Sequence, residues 1–169
     1  VFHAAGYQVL ACDPVAGRRD LLAGTGIDLR PALPLDDPAW HERCDLVVDC
    51  SGHEAAVHDA CRFVAKGGEV VLVGVPWRKR CDLAAFDLLH AVFHRYVHLR
   101  SGWEWEVPRT PTPFRQGSIR DNLAAALRWL GEGRLRPQGI RLGVDPRDCD
   151  AVYAEDRKST RLNSSHTIQ

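Results

Sequence analysis

The stretch DLVVDCSGHEAAVHDACRFVAKGGEVVLVGVP (residues 45–76) places two apolar strands on either side of one helix. Each strand is a continuous run of Val and Leu, without the alternation of apolar and polar residues that marks a half-exposed strand. The segment between them, 53–68, has helical periodicity and ends at two glycines. Continuous apolar strands joined by helices are typical of a parallel sheet covered on both faces. The stretch therefore predicts an α/β fold.

The same alternation of strands and helices continues on both sides of this stretch. The further predicted strands lie at 7–13, near 27–30 and at 96–102. The further predicted helices lie at 14–26, near 82–94 and at 118–133. Residues 140–156 predict a short strand followed by a helix that starts at Asp145 and Pro146. Strands that alternate with helices in this way predict a doubly wound parallel sheet.

Composition and charge exclude several functional classes. The chain has 22 Lys and Arg against 22 Asp and Glu, so it lacks the basic excess of an electrostatic nucleic-acid binder. No apolar run approaches the length of a membrane span, which argues against a membrane partner. The six cysteines include no C-x-x-C pair, and several lie inside apolar runs, which favours free thiols in a reducing, cytoplasmic setting.

The two ends of the chain differ from its centre. The sequence contains no Met, so we expect Val1 to be an internal residue of a longer protein. Residues 157–169 are polar and aperiodic, and they are typical of translated cloning or adapter sequence. We therefore predict a non-native tail over 157–169.

Candidate ligand-binding residues follow the strands, because ligands of doubly wound sheets bind outside the carboxyl ends of the strands. Asp13 follows the first strand, and a carboxylate there can accept both ribose hydroxyls of an adenosine while repelling a 2′-phosphate. A turn aspartate before proline is the structural alternative. Glycine follows three of the four clearest strands and lets a ligand approach the backbone closely. Those glycines are Gly52, Gly74 and Gly102.

Three segments together resemble the coenzyme domain of medium-chain, zinc-type alcohol dehydrogenases. They are YQVLACDPVAGRRDLLAGTGID (7–28), the stretch 45–76 and HLRSG (98–102), and their order and spacing carry the resemblance more than any single motif does. The likeness extends over residues 1–102 and is looser over 118–156. It implies a partial dinucleotide-binding domain over 1–133, built on an incomplete Rossmann-like sheet. It also implies that a C-terminal return segment of the catalytic domain begins over 134–156.

The resemblance implies roles for ten positions at the strand ends. Asp13 would hold the adenosine ribose with Arg18 beside it, and Val73 and Val75 would flank the nicotinamide. Plain strand core is the alternative for each valine, and a helix cap is the alternative for His53. The full set of implied cofactor-binding residues is Asp13, Arg18, Ser51, Gly52, His53, Val73, Gly74, Val75, Gly102 and Trp103.

The resemblance also implies what this stretch of chain lacks. The Gly-rich phosphate loop, the first strand and the zinc-binding catalytic domain of the family would all precede Val1, so no catalytic residue and no metal ligand is expected here. The family's strand order is 3-2-1-4-5-6, and the loss of strand 1 would leave two unpaired strand edges. We therefore expect this chain alone to be marginally stable or prone to aggregation, and inactive.

The function implied is that of a fragment of an NAD-dependent dehydrogenase, in which zinc would polarise an alcohol or polyol and hydride would pass to the nicotinamide. The expected partner is a small-molecule alcohol, and the parent would form a homodimer or homotetramer. One alternative is a zinc-free, NADPH-dependent reductase of the same superfamily; Arg18 and Arg19 leave room for NADP, whereas Asp13 disfavours it. The other alternative is an S-adenosylmethionine-dependent methyltransferase, whose sheet would end in an antiparallel strand.

Overall fold

The fold was determined as a computed structural model, which describes residues 1–40, 42–103, 106–136 and 145–158. Two compact units divide the chain: Val1–Ala32 with Trp103–Arg141, and Leu33–Gly102 with Leu142–Gln169. Each unit is described by itself. The strand predicted near residue 140 and most of the predicted tail lie outside the described residues. The predicted boundaries at 133 and 156 stay predictions.

The larger sheet lies in the unit that contains Leu33–Gly102. Its strands are β3 (Leu46–Asp49), β4 (Glu69–Leu72) and β5 (His98–Ser101), hydrogen-bonded in the order β3-β4-β5. All are parallel, with Val48 opposite Val71 and Val71 opposite Arg100. Crossovers through α2 (Glu54–Phe63) and α3 (Ala85–Arg95) make this parallel order feasible.

The smaller sheet lies in the unit that contains Val1–Ala32. It pairs β1 (Leu10–Cys12) in parallel with β2 (Asp28–Arg30), and the short helix α1 (Ala16–Asp20) connects them. Helix α4 (Ile119–Gly131) belongs to the same unit. It begins at Ser118, whose fully buried hydroxyl accepts the Asp121 N–H at 3.1 Å.

The described strands therefore form two parallel sheets instead of one. β1 pairs with β2, and β3 pairs with β4, so each of β1 and β3 has one edge without a strand partner among the described residues. In the order 3-2-1-4-5-6 these two strands would flank strand 1. The prediction of an incomplete doubly wound sheet is thus confirmed, and every ladder between the described strands is parallel.

The core of the larger sheet is small and aliphatic. Val64 and Val70 are fully buried, and Ala60, Cys61, Ala91 and Val97 complete the cluster. Burying a valine side chain contributes about 1.5–3 kcal/mol, so these few side chains supply much of the stability of this unit. They come from α2, β4 and α3 and the turns that follow the two helices, as the apolar stripe of 53–68 predicted.

Among the described residues, the predicted helices and strands are all present, although most are shorter than predicted. The helix expected over 14–26 ends at Asp20, and the glycines Gly24 and Gly26 adopt left-handed φ angles of 77° and 79° in the turn that follows. At the C-terminal end, Asp145 and Pro146 start a 3-10 turn that leads into α5 (Cys149–Lys158). Among the described helices, none combines the length and the apolar character that crossing a membrane requires.

Candidate functional site

Asp13 lies directly after β1 and is held by local contacts. One carboxylate oxygen accepts the Val15 N–H at 2.8 Å, and the other is 3.4 Å from the Arg18 guanidinium. The Arg19 guanidinium donates to the Asp13 carbonyl at 2.5 Å. An ionised carboxylate has about four acceptor positions, so Asp13 can still accept further hydroxyl groups. The turn contact and a ribose-binding role are therefore compatible.

The turn after β3 is organised by Asp49, which sequence reasoning did not select. Its carboxylate accepts the Ser51 N–H at 3.1 Å, the Ser51 hydroxyl at 2.6 Å and the Gly52 N–H at 3.0 Å. Its carbonyl accepts the N–H groups of Val73 and Gly74, which follow β4. Asp49 is 7% exposed, and these bonds explain how a buried carboxylate is tolerated there. An Asp two residues before Ser-Gly is an Asx-turn signal that could have indicated this role.

The glycines at the strand ends have a packing role that the sequence did not predict. A Cβ added to Gly74 would lie 2.3 Å from the Gly52 nitrogen, and one added to Gly52 would lie 2.6 Å from the Val75 carbonyl oxygen. A Cβ on Gly102 would lie 2.5 Å from the Val71 side chain. Glycine at these positions lets neighbouring protein segments approach each other closely. The expectation that these glycines also let a ligand approach the backbone stays a prediction.

His53 is the N-cap of α2, as the structural alternative for this residue proposed. Its Nδ1 accepts the Ala55 N–H at 3.2 Å, and its own N–H donates to the Ser51 hydroxyl at 3.1 Å. Glu54 follows, and its carboxylate accepts the Arg80 N–H at 2.9 Å. This backbone hydrogen bond is the largest cause that lowers the pKa of Glu54 below its usual value.

Val73 and Val75 follow β4 and are not part of the buried cluster. Val73 is 47% exposed, whereas Val70 and Val71 on β4 itself are buried. Val75 is half-buried. The strand-core alternative therefore fails for Val73, which presents an apolar surface at the carboxyl end of the sheet. Gly102 follows β5 and donates its N–H to the Leu72 carbonyl at 2.8 Å.

The predicted site residues fall into two groups. Ser51, Gly52, His53, Val73, Gly74, Val75 and Gly102 belong to one compact unit, at the carboxyl ends of its three strands. Asp13, Arg18 and Trp103 belong to the other unit. Trp103 is 40% exposed, and its carbonyl accepts the Glu106 N–H. All the candidates that follow parallel strands thus lie where nucleotide ligands of such sheets bind.

Two thiols near these strands have shifted acidity. Burial, followed by the charge of Asp49, raises the pKa of Cys50. Burial raises the pKa of Cys61 in the core to about 11. Both shifts disfavour the thiolate form of these cysteines.

Comparison with solved structures shows the fold. The chain superposes on acetophenone reductase from Geotrichum candidum, solved in complex with NAD, with a TM-score of 0.63, 19% identity and coverage of 94% of this chain and 40% of that one. It superposes on galactitol-1-phosphate dehydrogenase from Escherichia coli with a TM-score of 0.67, 16% identity and coverage of 91% and 44%. The fold is therefore a Rossmann-type α/β fold. The resemblance to the medium-chain, zinc-type dehydrogenases is thereby confirmed at the level of the fold.

A sequence relative points in the same direction. Glucose 1-dehydrogenase from Halobacterium salinarum is 36% identical over 64 residues, which cover 38% of this chain and 18% of the relative. No family model matches the chain. The chain spans less than half the length of this relative and of the two solved structures described above. These dehydrogenases therefore contain much that has no counterpart in the present chain.

Proposed function

We propose that this chain is part of an NAD-dependent, zinc-type dehydrogenase that oxidises an alcohol or polyol, and that it contributes the adenosine and nicotinamide contacts. The observation that carries the proposal is the position of Asp13 at the carboxyl end of β1 in a dehydrogenase-type fold. When bound, the nicotinamide would supply the hydride acceptor. The chain's own residues would bind and orient it.

Each group of candidate residues has a defined task in this proposal. Asp13, fixed by Val15 N–H and Arg18, accepts the two ribose hydroxyls. Its charge also repels the 2′-phosphate of NADP, and the ion pair with Arg18 reduces the attraction that this guanidinium offers to a phosphate. Ser51, Gly52 and His53 line the ribose side, and exposed Val73 packs against the nicotinamide. Zinc and the proton relay belong to other parts of the parent protein.

Cofactor binding by the present chain is tested by titration with NADH and NADPH, followed by fluorescence. Hydrogen bonds to a charged group are worth about 1.5–3 kcal/mol, so Asp13→Ala should weaken NADH binding by about 10-fold to 100-fold. Asp20→Ala is the matched control, because Asp20 ends α1. Equal affinities of the wild-type chain and Asp13→Ala would contradict the ribose-binding role.

The activity is tested on the parent protein. The coding DNA on both sides of residues 1–156 is recovered, the longer chain is expressed, and NAD reduction is measured with a panel of alcohols and polyols. We expect alcohol-dependent reduction that a zinc chelator abolishes. NADPH-dependent reduction insensitive to the chelator would instead support the zinc-free reductase. The described strand ladders are all parallel, which favours either dehydrogenase over the methyltransferase. Binding of S-adenosylmethionine by the longer chain would instead support the methyltransferase.

A further inference from the structure

Three side chains with different metal-binding atoms meet beside the N-terminus of α2. One ligand atom from each of His53, Glu54 and Cys81 lies within 4.8 Å of the other two. All three residues are half-buried and belong to the same compact unit. Cys81 is far from the other two in sequence, so no ligand spacing in the sequence could reveal the cluster.

Hydrogen bonds hold the segment that carries Cys81 against α2. The two oxygens of Glu54 accept from different groups of this segment: the Arg80 N–H at 2.9 Å and the Cys81 thiol at 3.8 Å. The His53 Nδ1 lies 3.9 Å from the same Glu54 oxygen that the thiol contacts. Lys79 on the same segment forms an ion pair with Asp82. The three donors are thus brought together by defined contacts.

The donor set indicates the class of cation. Imidazole nitrogen, thiolate sulfur and carboxylate oxygen are all ligands of zinc, whereas magnesium and calcium prefer oxygen ligands alone. We propose that His53, Glu54 and Cys81 bind a zinc-class divalent cation, with a water molecule as the fourth ligand. Cys81 then loses its thiol proton to solvent, and the sulfur exchanges its contact with Glu54 for the metal.

Metal binding competes with the helix cap, which provides a way to test the site. The His53 Nδ1 accepts the Ala55 N–H, so coordination through this atom replaces that hydrogen bond. If the other ring nitrogen coordinates, Nδ1 carries the proton and again cannot accept. Asparagine is a favourable N-cap without an imidazole. His53→Asn therefore retains the cap and removes the ligand.

The test is a titration of the complete 169-residue chain with cobalt(II) as a spectroscopic probe, followed by displacement with zinc. We expect saturable binding of one equivalent with thiolate-to-cobalt absorption. Cys81→Ser should abolish that absorption, and His53→Asn and Glu54→Gln should each weaken zinc binding at least tenfold. Cys149→Ser, which removes an exposed thiol on α5, is the matched control and should change neither. Thiolate absorption that persists in Cys81→Ser would overturn the proposal.

A second measurement reads out the cysteine directly. The chain is alkylated with and without zinc, and the modified cysteines are quantified by mass spectrometry. Zinc should slow the alkylation of Cys81 at least tenfold and leave that of Cys149 unchanged. Equal protection of both thiols, or of neither, would contradict the site. Because Cys81 is not a proposed cofactor contact, Cys81→Ser should bind NADH like the wild-type chain, which separates this proposal from the proposed function.

Discussion

At the scale of single residues, the carboxyl ends of β3 and β4 are held together by backbone contacts that only glycine permits. Gly74 faces Gly52, and the Asp49 carboxylate and carbonyl fix the chain on both sides of this contact. The position of these residues after apolar strands could be predicted from the sequence. Their mutual contact could not, because it depends on the distance between two turns that are remote in sequence.

Gly74→Ala should destabilise the larger unit more than any change on the surface. The new Cβ would lie 2.3 Å from one backbone nitrogen and 2.6 Å from a carbonyl carbon, and backbone atoms cannot move aside as a flexible side chain can. Overpacking of this kind costs about 1–3 kcal/mol in free energy of unfolding, measured by urea denaturation. Gly131→Ala, where a Cβ meets open space at the end of α4, is the control and should be neutral or stabilising. Equal stability of the two variants would contradict this prediction.

At the scale of elements, the sequence predicts the type and order of helices and strands better than their ends. Continuous Val and Leu runs predict β3 and β4, because this signal is local. The paired glycines at 67–68 predict the end of α2 less well, since α2 ends at Phe63. The predicted strands are longer than the observed ones, because a strand ends where its hydrogen bonds to the neighbouring strand end. The ladder between β3 and β4 ends at the pair Asp49 and Leu72. The cap of α3 was also missed: Tyr96 adopts a left-handed φ of 56°, where glycine is usual.

Tyr96→Gly should therefore stabilise the chain. A left-handed conformation costs a residue with a Cβ about 1–2 kcal/mol, and Tyr96 is 73% exposed, so its side chain contributes little burial in return. We expect the free energy of unfolding to rise by about 1 kcal/mol in urea denaturation. Tyr96→Ala retains the Cβ and is the matched control, which should show no such gain. A similar gain in both variants would attribute the effect to loss of the ring instead of to backbone strain.

At the scale of the whole molecule, the division into two parallel sheets agrees with the strand order that the sequence implied. Glycine-rich turns and apolar runs indicated a doubly wound sheet, and the absence of one central strand was inferred from the resemblance. What the sequence did not indicate is the metal-ligand cluster of His53, Glu54 and Cys81, since a crossover brings its members together. Long-range proximity of this kind depends on the fold as a whole.

One edge of β3 has no strand partner among the described residues, and it should make this chain associate at high concentration. Leu46 begins β3 and is 38% exposed, and a lysine on an edge strand opposes pairing with another chain. Leu46→Lys should lower the concentration-dependent increase in sedimentation coefficient. Leu123→Lys removes an exposed leucine from α4 and is the control for general surface polarity. An equal reduction in both variants would mean that apolar surface, not the strand edge, drives the association.

The division of the chain into units also sets an order of events during synthesis on a ribosome. The three strands of the larger sheet and both of its crossover helices are complete once Ser101 has emerged. The other unit contains Val1–Ala32 and a segment that starts at Trp103. Its strands β1 and β2 are therefore synthesised long before its helix α4. Domains fold as they emerge, so the larger sheet forms while β1 and β2 are still without α4. The unit that contains β1 and β2 is therefore completed only after the larger sheet has formed.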